Sequence, residues 1–521
     1  MAKKYYIVIY LLIIVLSSQP LIFWFWFNWT NFYLAETIFY IFFPLIFFVG
    51  VFILIISSIL VSKIFLLITN LIHPPQEGVF YFNKDDKDFC YWSLRSVIKK
   101  WPIWLSRQLS LPFFEMLAYK IFGVKASFKN ALHDGWVDCE FVTLGKNVKI
   151  GQGTVIMSNL IVKDRLIFKR VVIKDNVIIG AHSLILPGTI IEPNTILDSN
   201  SITKINQHLD SNSIYRGRPV KKALETSAIT NKEVIEKNFF EKDPSITQTE
   251  EFLTAQGTNL SVPFHFYIIS GTIIIGFSFF LPGFIFYLFL FGFLAPNLLS
   301  QPFTIEIFLN PYNYGLFLLT PLIFISCYLL HLFFVALFTR WFYKLADKRG
   351  PSQGVFDRNL DTSSTTLDYY HFRSFLMKYP VFAFSRSPFP WLLNWELNFI
   401  KSNKIGKGTV LEETFIHSHI NFGDNCYLGT SSHITNHLVD GVYGEENLIF
   451  VGVEIGNRSI LNATTGGLPG SEIGEDSTFL PGCTTLKYDK LDGDGIYHGF
   501  PAKPMKKEDI IDYLGGDYSG E

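Results

Sequence analysis

Hydrophobic and polar residues alternate on two length scales along the chain. On the longer scale, four apolar stretches reach the roughly 20 residues that a helix needs to cross a bilayer. They are Tyr6–Phe27, Thr37–Val61, the apolar part of Phe264–Ala295, and Tyr314–Phe338. On the shorter scale, an aliphatic residue recurs at every sixth position through 144–206 and again through 405–486. This pattern predicts a multi-pass α-helical membrane protein that carries two repeat domains.

Charged residues around the apolar stretches predict the topology. The loops 28–36 and 296–312 contain no Lys or Arg, whereas basic residues flank the other helix ends: Lys3, Lys4, Lys63, Arg340, Lys344, Lys348 and Arg349. By the positive-inside rule, the N-terminus and both large polar regions face the cytoplasm. No small-residue cleavage site follows the first stretch, which favours a membrane helix over a signal peptide. The third stretch contains Pro282, and the sequence leaves open whether it crosses once or re-enters.

The six-residue period is typical of a parallel β-helix. In hexads such as "IGQGTV" at 150 and "IGKGTV" at 405, the aliphatic residue points inward and Gly, Asn, Asp or Pro turns the corner. About three hexads complete one coil, and the coils stack as in a solenoid. Both regions interrupt the period, at 160–172 and at 434–452. We predict that these two excursions leave the β-helix.

The two halves of the chain repeat each other. "QEGVF" at 76 matches "SQGVF" at 352, and "YWSLRSVIKKWP" at 91 matches "YYHFRSFLMKYP" at 369. The offsets lie between 276 (354 − 78) and 282 (497 − 215). We therefore predict an internal duplication. The predicted domains are a transmembrane hairpin at 1–72, a connector with a β-helix at 73–222, a polar linker at 223–262, a second hairpin at 263–340, and a second connector with a β-helix at 341–521.

Composition narrows the class further. Charged residues make up 17% of the chain, against about 25% in typical soluble proteins, and the mean hydropathy is +0.28. Both values fit a membrane protein with soluble parts. The net charge of −1 predicts no nucleic-acid partner. The five cysteines are far apart and form no CxxC, so the sequence predicts neither a disulfide framework nor a zinc site.

The hexads are followed by "YRGRPVKK" at 215 and "YHGFPAKP" at 497. Together these motifs resemble the hexapeptide-repeat acyltransferases, whose left-handed β-helix usually ends in a similar Gly-x-Pro-Ala turn near acetyl-CoA. The resemblance implies a donor site that includes Gly499, Pro501, Ala502 and Lys503. It also implies a donor that is not tightly bound, either an acyl-CoA or a carrier-protein thioester.

The pairing of two β-helices with membrane hairpins resembles something narrower: the membrane-bound terminal region of nonribosomal peptide synthetases of the poly-lysine-synthetase kind. This chain lacks the adenylation and carrier domains that precede that region in the fused proteins. The resemblance therefore implies that a carrier protein or a synthetase is a separate partner, beside the lipid bilayer. A homo-oligomer is a further expectation.

The interruption "SSHITNHLVDG" at 431–441 contains the candidate chemistry. His437 aligns with Asn159 of the first half. The unperturbed pKa of histidine lies near 6.5, so His437, or His433 as a second candidate, can take a proton from a hydroxyl or an amine at neutral pH. A carboxylate such as Asp440 could fix the imidazole tautomer.

Small residues follow on the chain. Gly466 and Gly467 could admit a thioester, and their backbone N–H groups could support an oxyanion.

The two excursions have complementary losses relative to the family's pattern, which resembles Thr-His-Leu-Phe-Glu-Asp-Arg. The second half has His437 but no Asp-Arg, and the first half has Asp164 and Arg165 but no His. If the two β-helices pack side by side, one composite site would result, with His437 as the base and Asp164 or Arg165 supplying orientation or charge. Alternatively, His437 acts with its own Asp440.

A metal site is the alternative for the histidines His417, His419, His433 and His437, since zinc enzymes with three His ligands exist. Side chains in "HSH" alternate along a strand, and the first half has none of the four, so we expect no metal and a solvent-facing His417 and His419. The predicted function is a membrane-bound acyltransferase that moves an acyl, acetyl or aminoacyl group to a hydroxyl or amine. The alternative is a non-catalytic scaffold or transport-coupled partner of a separate synthetase.

Overall fold

A computed structural model describes residues 3, 5–32, 37–109, 111–130, 135–226, 264–351, 353–357, 365–440 and 447–514. The linker predicted at 223–262 lies mostly outside these ranges. Four helical stretches in the described residues are long and apolar enough to cross a membrane: Tyr6–Asn31, Phe39–Ile72, His265–Leu299 and Pro311–Arg349. They coincide with the four predicted stretches, and the second and fourth extend well beyond the predicted ends.

Helices α1 (Tyr6–Phe32) and α2 (Thr37–Ile72) pack on each other as the first hairpin. The third stretch is not one regular helix: α5 (Phe264–Thr272) and α6 (Ser278–Phe289) alternate with π-helical segments at Ile273–Phe277 and Leu290–Leu299. A 3₁₀ turn at Ile305–Leu309 leads to α7 (Pro311–Arg349). The hairpins touch near their loops, where the Trp26 indole N–H donates to the Gln301 carbonyl (3.0 Å).

Each hairpin is joined to its repeat region by a pair of connector helices. The first pair is α3 (Lys87–Gln108) and α4 (Pro112–Phe122). The second is α8 (Thr365–Ser385) and α9 (Leu393–Ile400), with a 3₁₀ turn at Pro390–Leu392 between them. The same contact fixes both pairs: Lys63 Nζ donates to the Ile121 carbonyl (2.7 Å), and Arg340 Nη1 donates to the Phe399 carbonyl (2.6 Å).

Short strands form repeat region 1, which we define as residues 136–226 with the added strand β1. The strands are β1 (Gly78–Tyr81), β2 (Trp136–Val137), β3 (Val142–Leu144), β4 (Lys149–Ile150), β5 (Val155–Ile156), β6 (Asn159–Val162), β7 (Arg165–Phe168), β8 (Val171–Ile173), β9 (Ile178–Ile179), β10 (Leu184–Ile185), β11 (Ile190–Ile191), β12 (Ile196–Leu197), β13 (His208–Leu209), β14 (Ser213–Gly217) and β15 (Val220–Glu225).

Repeat region 2, residues 404–514 with the added strand β16, has the same construction. Its strands are β16 (Gly354–Asp357), β17 (Lys404–Ile405), β18 (Val410–Leu411), β19 (Phe415–Ile416), β20 (Ile420–Phe422), β21 (Tyr427–Leu428), β22 (His433–Ile434), β23 (His437–Asp440), β24 (Asn447–Phe450), β25 (Val453–Ile455), β26 (Ile460–Leu461), β27 (Gly466–Gly467), β28 (Glu472–Ile473), β29 (Thr478–Phe479), β30 (Lys490–Leu491), β31 (Ile496–His498) and β32 (Lys503–Pro504). Helix α10 (Lys507–Leu514) follows.

Apart from a three-stranded antiparallel sheet in each region (β1, β7, β6 and β16, β24, β23), the strands fall into three mainly parallel sheets. We letter these sheets A, B and C so that equivalent sheets share a letter. Region 1 has A1 (β2, β5, β10), B1 (β3, β8, β11, β13) and C1 (β4, β9, β12, β14, β15). Region 2 has A2 (β19, β22, β27), B2 (β17, β20, β25, β28, β30) and C2 (β18, β21, β26, β29, β31, β32). Consecutive strands of the chain visit the three sheets in turn, as a chain that coils through them must.

The parallel register measures the length of one circuit. Val172 pairs with Ile190, and Ile190 pairs with His208, so each step from strand to strand advances the chain by three hexads. In region 2, Glu472 pairs with Lys490 at the same interval. The aliphatic residue of each hexad is buried inside the circuit.

Asparagines turn one corner of region 1 in the left-handed conformation, which their short polar side chains tolerate. Asn176 (φ 59°) and Asn194 (φ 58°) stack directly: the amide of Asn176 donates to Asn194 (3.1 Å), and that of Asn194 donates to Asn212 (3.1 Å). This ladder satisfies the exposed corner residues and holds successive circuits in register.

Each region has one excursion, and it leaves directly after the second strand of sheet A. In region 1 it is the hairpin β6–β7, which β1 extends as a third strand. In region 2 it is the hairpin β23–β24, extended by β16. The predicted positions of the two excursions are therefore confirmed. Residues 441–446 at the tip of the second one lie outside the described residues.

The two regions pack on each other through the excursion of region 1. Asn462 of region 2 is 1% exposed and binds the backbone of Ile161 twice: its Nδ2 donates to the carbonyl (2.9 Å) and its Oδ1 accepts from the N–H (3.3 Å). Apolar side chains surround this contact: Val155, Met157, Leu160, Val162, Leu184, Leu186, Ala463, Leu480 and Ile496. Sheet A1 and its excursion thus lie against sheet C2.

Candidate active site

The first residue of the region 2 excursion is His437. Its backbone pairs with Phe450 at the open end of the β23–β24 hairpin, two residues after Thr435 leaves sheet A2. Its ring packs edge-on against Tyr370 of α8, at 6.0 Å between ring centroids. The imidazole is therefore held between the edge of the sheet and a connector helix, rather than on a free loop.

Asn436 orients this imidazole. The Asn436 side chain is 3% exposed, and its Nδ2 donates to the carbonyl (2.6 Å) and the hydroxyl (3.1 Å) of Ser418. These two bonds require the amide nitrogen of Asn436 to face Ser418. The amide oxygen Oδ1 therefore faces His437 Nδ1, at 3.1 Å. An amide oxygen only accepts, so Nδ1 carries the proton. The lone pair of His437 therefore lies on Nε2.

A second histidine stands beside the first. The rings of His417 and His437 are 4.7 Å apart between centroids and nearly perpendicular, at 75°. Burial lowers the pKa of His417 to about 4, with repulsion from His437 and Lys378 adding to it. Burial also lowers the pKa of His437, and His371 adds to that effect. Both imidazoles are neutral at pH 7, as a base and its neighbour must be.

The expectation of a solvent-facing His417 and His419 is wrong. His417 packs against His437, and His419 lies edge-on to Phe450 (5.1 Å) with its Nε2 3.7 Å from Asp347. The two rings lie apart because the chain turns a corner at His419, where φ is 60°. Among the described residues, no three His, Cys, Asp or Glu side chains form a group that could hold a metal ion.

The outer face of sheet A2 continues from the histidines. His433 lies on it, between Phe415 and Gly466 in the parallel ladder. A Cβ on Gly466 would come within 2.9 Å of His433 Nε2, so glycine is needed for this close approach. Gly467 points the other way: a Cβ there would meet the buried Ile434 at 3.0 Å.

These contacts limit the predicted role of the glycines. The Gly466 N–H donates to the Cys483 carbonyl (2.9 Å), so it is occupied by the ladder rather than open to an oxyanion. Gly467 serves packing inside the circuit. Gly466 therefore leaves the outer face of A2 without a side chain at this position, and an oxyanion donor would have to be another group.

The predicted donor residues form a turn at the far end of the same face. Gly499, Pro501, Ala502 and Lys503 join β31 to β32, and the Gly499 carbonyl accepts from the Thr484 N–H (3.0 Å). Thr484 in turn pairs with Gly466. The chain thus places His433, Gly466, Thr484 and the turn in consecutive circuits along one face.

The residues of the predicted composite site lie elsewhere. Asp164 and Arg165 stand at the tip of the β6–β7 hairpin, 3.5 Å from each other, and the Arg165 guanidinium covers the Tyr81 ring at 4.0 Å. No contact joins either residue to His437 in the described part of the chain. Asp440 belongs to β23, where its backbone pairs with Asn447; its side chain lies outside the described residues.

Region 1 has different chemistry at the equivalent position. Asp138 takes the place of His417, and Asn159 that of His437, and again the two side chains touch: Asn159 Nδ2 donates to Asp138 Oδ2 (2.6 Å). The same oxygen accepts from the Ser158 N–H (2.8 Å), and Oδ1 accepts from the Trp136 indole (3.0 Å). Both carboxylate oxygens of Asp138 accept hydrogen bonds. This cluster therefore stabilises the fold and offers no free base.

Two residues of the site were missed in the sequence, Asn436 as the orienting group and His417 as the neighbour. The exchange of Ser158-Asn159 for Asn436-His437 between the two halves was the available signal, since both positions change together. The His417 contact had no local signal, because it joins residues from two different circuits.

No protein-family model and no curated protein matches the chain. Among solved structures, a hexapeptide-repeat acetyltransferase from Vibrio cholerae is 18% identical and covers 21% of this chain and 64% of its own, with a TM-score of 0.19. A maltose O-acetyltransferase from Clostridium difficile is 17% identical over 21% of this chain and 60% of its own (TM-score 0.17). A galactoside acetyltransferase in complex with coenzyme A is 17% identical over 29% and 85% (TM-score 0.21). The chain thus spans less than two thirds of the first two relatives.

Proposed function

We propose that the protein is a membrane-anchored acyltransferase in which His437 is the general base. The proposed architecture is an internal duplication: two transmembrane hairpins, at 1–72 and 263–340, each followed by a connector and a left-handed parallel β-helix, at 73–222 and 341–521, with a linker at 223–262. The three-sheet circuits support this interpretation, because uninterrupted circuits such as Val172 to Ile190 and Glu472 to Lys490 are three hexads long, the length of one coil of such a helix.

One observation carries the proposal: the bond from His437 Nδ1–H to Asn436 Oδ1 (3.1 Å) presents an unprotonated Nε2. A hydroxyl or amine of the acceptor gives its proton to Nε2 as its O or N forms a bond with the thioester carbonyl carbon. The C–S bond then breaks, and the leaving sulfur takes the proton from the imidazolium as a free thiol. Asn436 holds the ring in this tautomer throughout, in the place that a carboxylate has in other triads.

The donor lies along the outer face of sheet A2 in this proposal. Strands in a sheet are about 4.8 Å apart, so the three steps from His433 through Gly466 and Thr484 to Gly499 span about 14 Å. An extended thioester arm suits this low, narrow face, with Gly499, Pro501, Ala502 and Lys503 at its far end. The donor is an acyl-CoA or a carrier-protein thioester, and the resemblance to poly-lysine-type synthetases favours a synthetase as partner.

His433 is a second candidate on this face, next to the path of the thioester. Asp440, Asp164 and Arg165 stay predictions as contributors. The contacts of Asp164 and Arg165 argue for a role at the β1–β7 edge instead, since they bind each other and Tyr81 there.

The test is thiol release by the full chain in proteoliposomes, with acetyl-CoA and other acyl-CoA donors, acyl carrier-protein thioesters, and amine or alcohol acceptors. Asn436→Ser, which imports the residue of region 1, should slow transfer by about tenfold, the scale of one lost hydrogen bond. His437→Ala should abolish it. The control His182→Asn keeps a corner residue that tolerates φ near 56° and should leave the rate unchanged. Full activity in His437→Ala would refute the proposal.

The proposed orientation places both repeat regions in the cytoplasm. The native Cys90 and Cys426 are buried (8% and 0% exposed) and unsuited to labelling. Cysteines introduced at the exposed Ser199 and Tyr488 should instead react with an impermeant reagent from the same side. Labelling from opposite sides would overturn the topology.

A further inference from the structure

Helix α8 and the residue after it turn one stripe of side chains outward. His371, Lys378, Phe382 and Arg386 are all exposed, and their spacing of seven, four and four residues places them on one face of the helix. Phe382 is 62% exposed, whereas its neighbours Val381 and Phe384 on the same helix are 8% and 0% exposed.

A second stripe faces it from the first circuit of region 2. Glu413 lies in the bend that leads into β19. Phe415 begins that strand, and His417 follows two residues later on the same side as Phe415. Phe415 is 65% exposed. Together the two stripes line a surface that we call the trough.

Contacts tie the two stripes together at both ends. Arg386 Nη1 lies 3.2 Å from Glu413 Oε2 at one end. At the other end the ring of Tyr370, the neighbour of His371 on α8, packs on His437 at 6.0 Å between centroids, and His437 in turn contacts His417 at 4.7 Å. Phe382 and Phe415 therefore come between the Arg386–Glu413 pair and the two histidines, on opposite sides of the same trough.

The Arg386 end of the trough lies beside the apolar spans of α1 and α7. Just past it, the Pro388 carbonyl accepts from the hydroxyl of Tyr10 in α1 (2.5 Å), and Trp391 packs on the same ring. Trp395 of α9 stacks with Phe333, which lies within the apolar span of α7 (6.3 Å between centroids). Exposed Trp side chains at this level are typical of a bilayer interface.

The His437 end lies farther along α7, toward its charged C-terminal end. His419 of the same corner reaches Asp347, close to the polar end of α7. The trough thus runs from the apolar spans of α1 and α7, past two exposed phenylalanines, to the His417–His437 pair.

We propose that the acyl acceptor is a membrane lipid, which enters the trough from the bilayer and delivers a head-group amine or hydroxyl to His437. This inference rests on the proposed function. Phe382 and Phe415 contact the upper, apolar part of the lipid. Lys378 lies between His371 and Phe382 on the α8 stripe. Its ammonium group would therefore meet the anionic phosphate that joins the head group to the apolar part of the lipid. The lipid oxygen or nitrogen attacks the thioester carbonyl, its proton passes through Nε2 to the leaving thiol, and an acylated lipid and a free thiol result.

The first experiment compares matched acceptors. The full chain is reconstituted in phosphatidylcholine vesicles that contain phosphatidylethanolamine or phosphatidylglycerol, and thiol release from the active donor is measured. The same vesicles without these lipids receive soluble ethanolamine or glycerol, which carry the same nucleophile without the chains. The lipid acceptors should be used at least about tenfold faster, the gain expected from one apolar contact.

Variants then locate the binding surface. Phe382→Asp and Phe415→Asp replace exposed side chains and should lower transfer to the lipid about tenfold, far more than transfer to the soluble acceptor. Tyr488→Asp is the matched control: this aromatic residue is also exposed (47%), lies outside the trough, and has a φ of 62° that Asp tolerates. It should leave both rates unchanged.

The outcomes separate the two proposals. Transfer that depends on His437 but is equal or faster with soluble ethanolamine overturns the lipid acceptor and leaves the acyltransferase intact. Thiol release that does not depend on His437 with any acceptor overturns both.

A readout without turnover completes the test. Cysteines at Phe382 and Phe415, labelled with an environment-sensitive fluorophore, should be quenched by brominated phosphatidylcholine, whereas a label at Tyr488 should not. Equal quenching at the three positions would overturn the trough.

Discussion

Sheets A1 and A2 occupy equivalent positions in the two regions, but their outer faces have different roles. The outward residues of A1 and its neighbour circuit are Trp136, Val155, Leu184 and Ile202, and they pack against region 2. The equivalent residues of A2 are Phe415, His433, Gly466 and Thr484, which leave the face low and partly polar. The same backbone circuit thus forms an internal interface in one region and a candidate reactive surface in the other, according to a few outward side chains.

The pair of residues beside each face follows the same division. Asp138 and Asn159 satisfy each other and their neighbours, whereas His437 bonds through Nδ1 and has no hydrogen bond at Nε2 within the described part of the chain. A fully paired cluster stabilises the fold. A cluster with an unpaired base costs stability and gains chemistry. Breaking this contrast in either direction is the sharpest way to test it.

The largest effect should come from exchanging the bases. His437→Asn imports the region 1 residue and should lower transfer by about 10²- to 10⁴-fold, as expected for loss of a general base. The reciprocal Asn159→His should add no activity, since its face is covered by region 2. Single-turnover thiol release measures both. A gain of activity in Asn159→His would show that the covered face is catalytic too.

The next effect concerns the covering contact itself. Asn462→Ala leaves the buried N–H and carbonyl of Ile161 without this partner, at roughly 1–3 kcal/mol for each group. Urea or thermal unfolding should show that loss. Asn421→Ala, which removes an exposed bond to Glu454, should change the free energy of unfolding by less than about 0.5 kcal/mol. Equal losses in both variants would remove the argument that Asn462 pins the regions together.

A third comparison lies in the connector helices. Glu396 of α9 and Ala118 of α4 are equivalent, each three residues before the carbonyl that Arg340 or Lys63 binds, and both are 0% exposed. Neither Glu396 oxygen has a hydrogen-bond partner among the described residues, and burial raises its pKa well above 4.5.

Glu396→Met should therefore stabilise the protein by about 1–3 kcal/mol near pH 7. The sign follows from the raised pKa: the folded protein holds a proton that the unfolded chain releases, so wild-type stability falls as pH rises above about 4.5. The variant should lose this dependence. Unfolding curves across pH measure it, and a less stable variant at pH 7 would contradict the assignment of an unpaired acid.

The smallest effect is in the pH profile. Because burial lowers the pKa of His437 below 6.5, the rate of transfer should not change with pH from pH 7 upward. It should fall only as the pH drops below the pKa of His437, by about tenfold per pH unit once the imidazole is protonated. The rate is measured under kcat/KM conditions. A midpoint above 6.5 would mean that a nearby acid, such as Asp440, supports the protonated form.

The repetitive parts of the fold were predictable because each position depends only on its hexad. Inward aliphatic residues and corner residues such as Asn176 recur at fixed intervals, so the circuits and the excursions could be placed. Helix ends were less predictable: α7 extends past Phe338 to Arg349, where its last turns are polar and the helix packs on α8.

The candidate site was only half predictable. His437 stands out because it interrupts the period. Asn436 orients the imidazole only because Ser418 fixes its amide, and His417 reaches His437 from the preceding circuit. Such contacts join residues that are neighbours across circuits, and no local pattern encodes them. The predicted partnership with Asp164 and Arg165 likewise assumed that complementary motifs meet, whereas packing carries that hairpin to sheet C2.

The excursions also explain how such a fold accepts change. Where a circuit contains an excursion, the partner strand simply lies farther along the chain: Val155 pairs with Leu184 in region 1, and His433 pairs with Gly466 in region 2. Both intervals exceed the three hexads of an uninterrupted circuit, and the second is the longer. Every strand before and after keeps its neighbour. Excursions of different length can therefore leave from this one corner while the circuits before and after it keep their strand pairing.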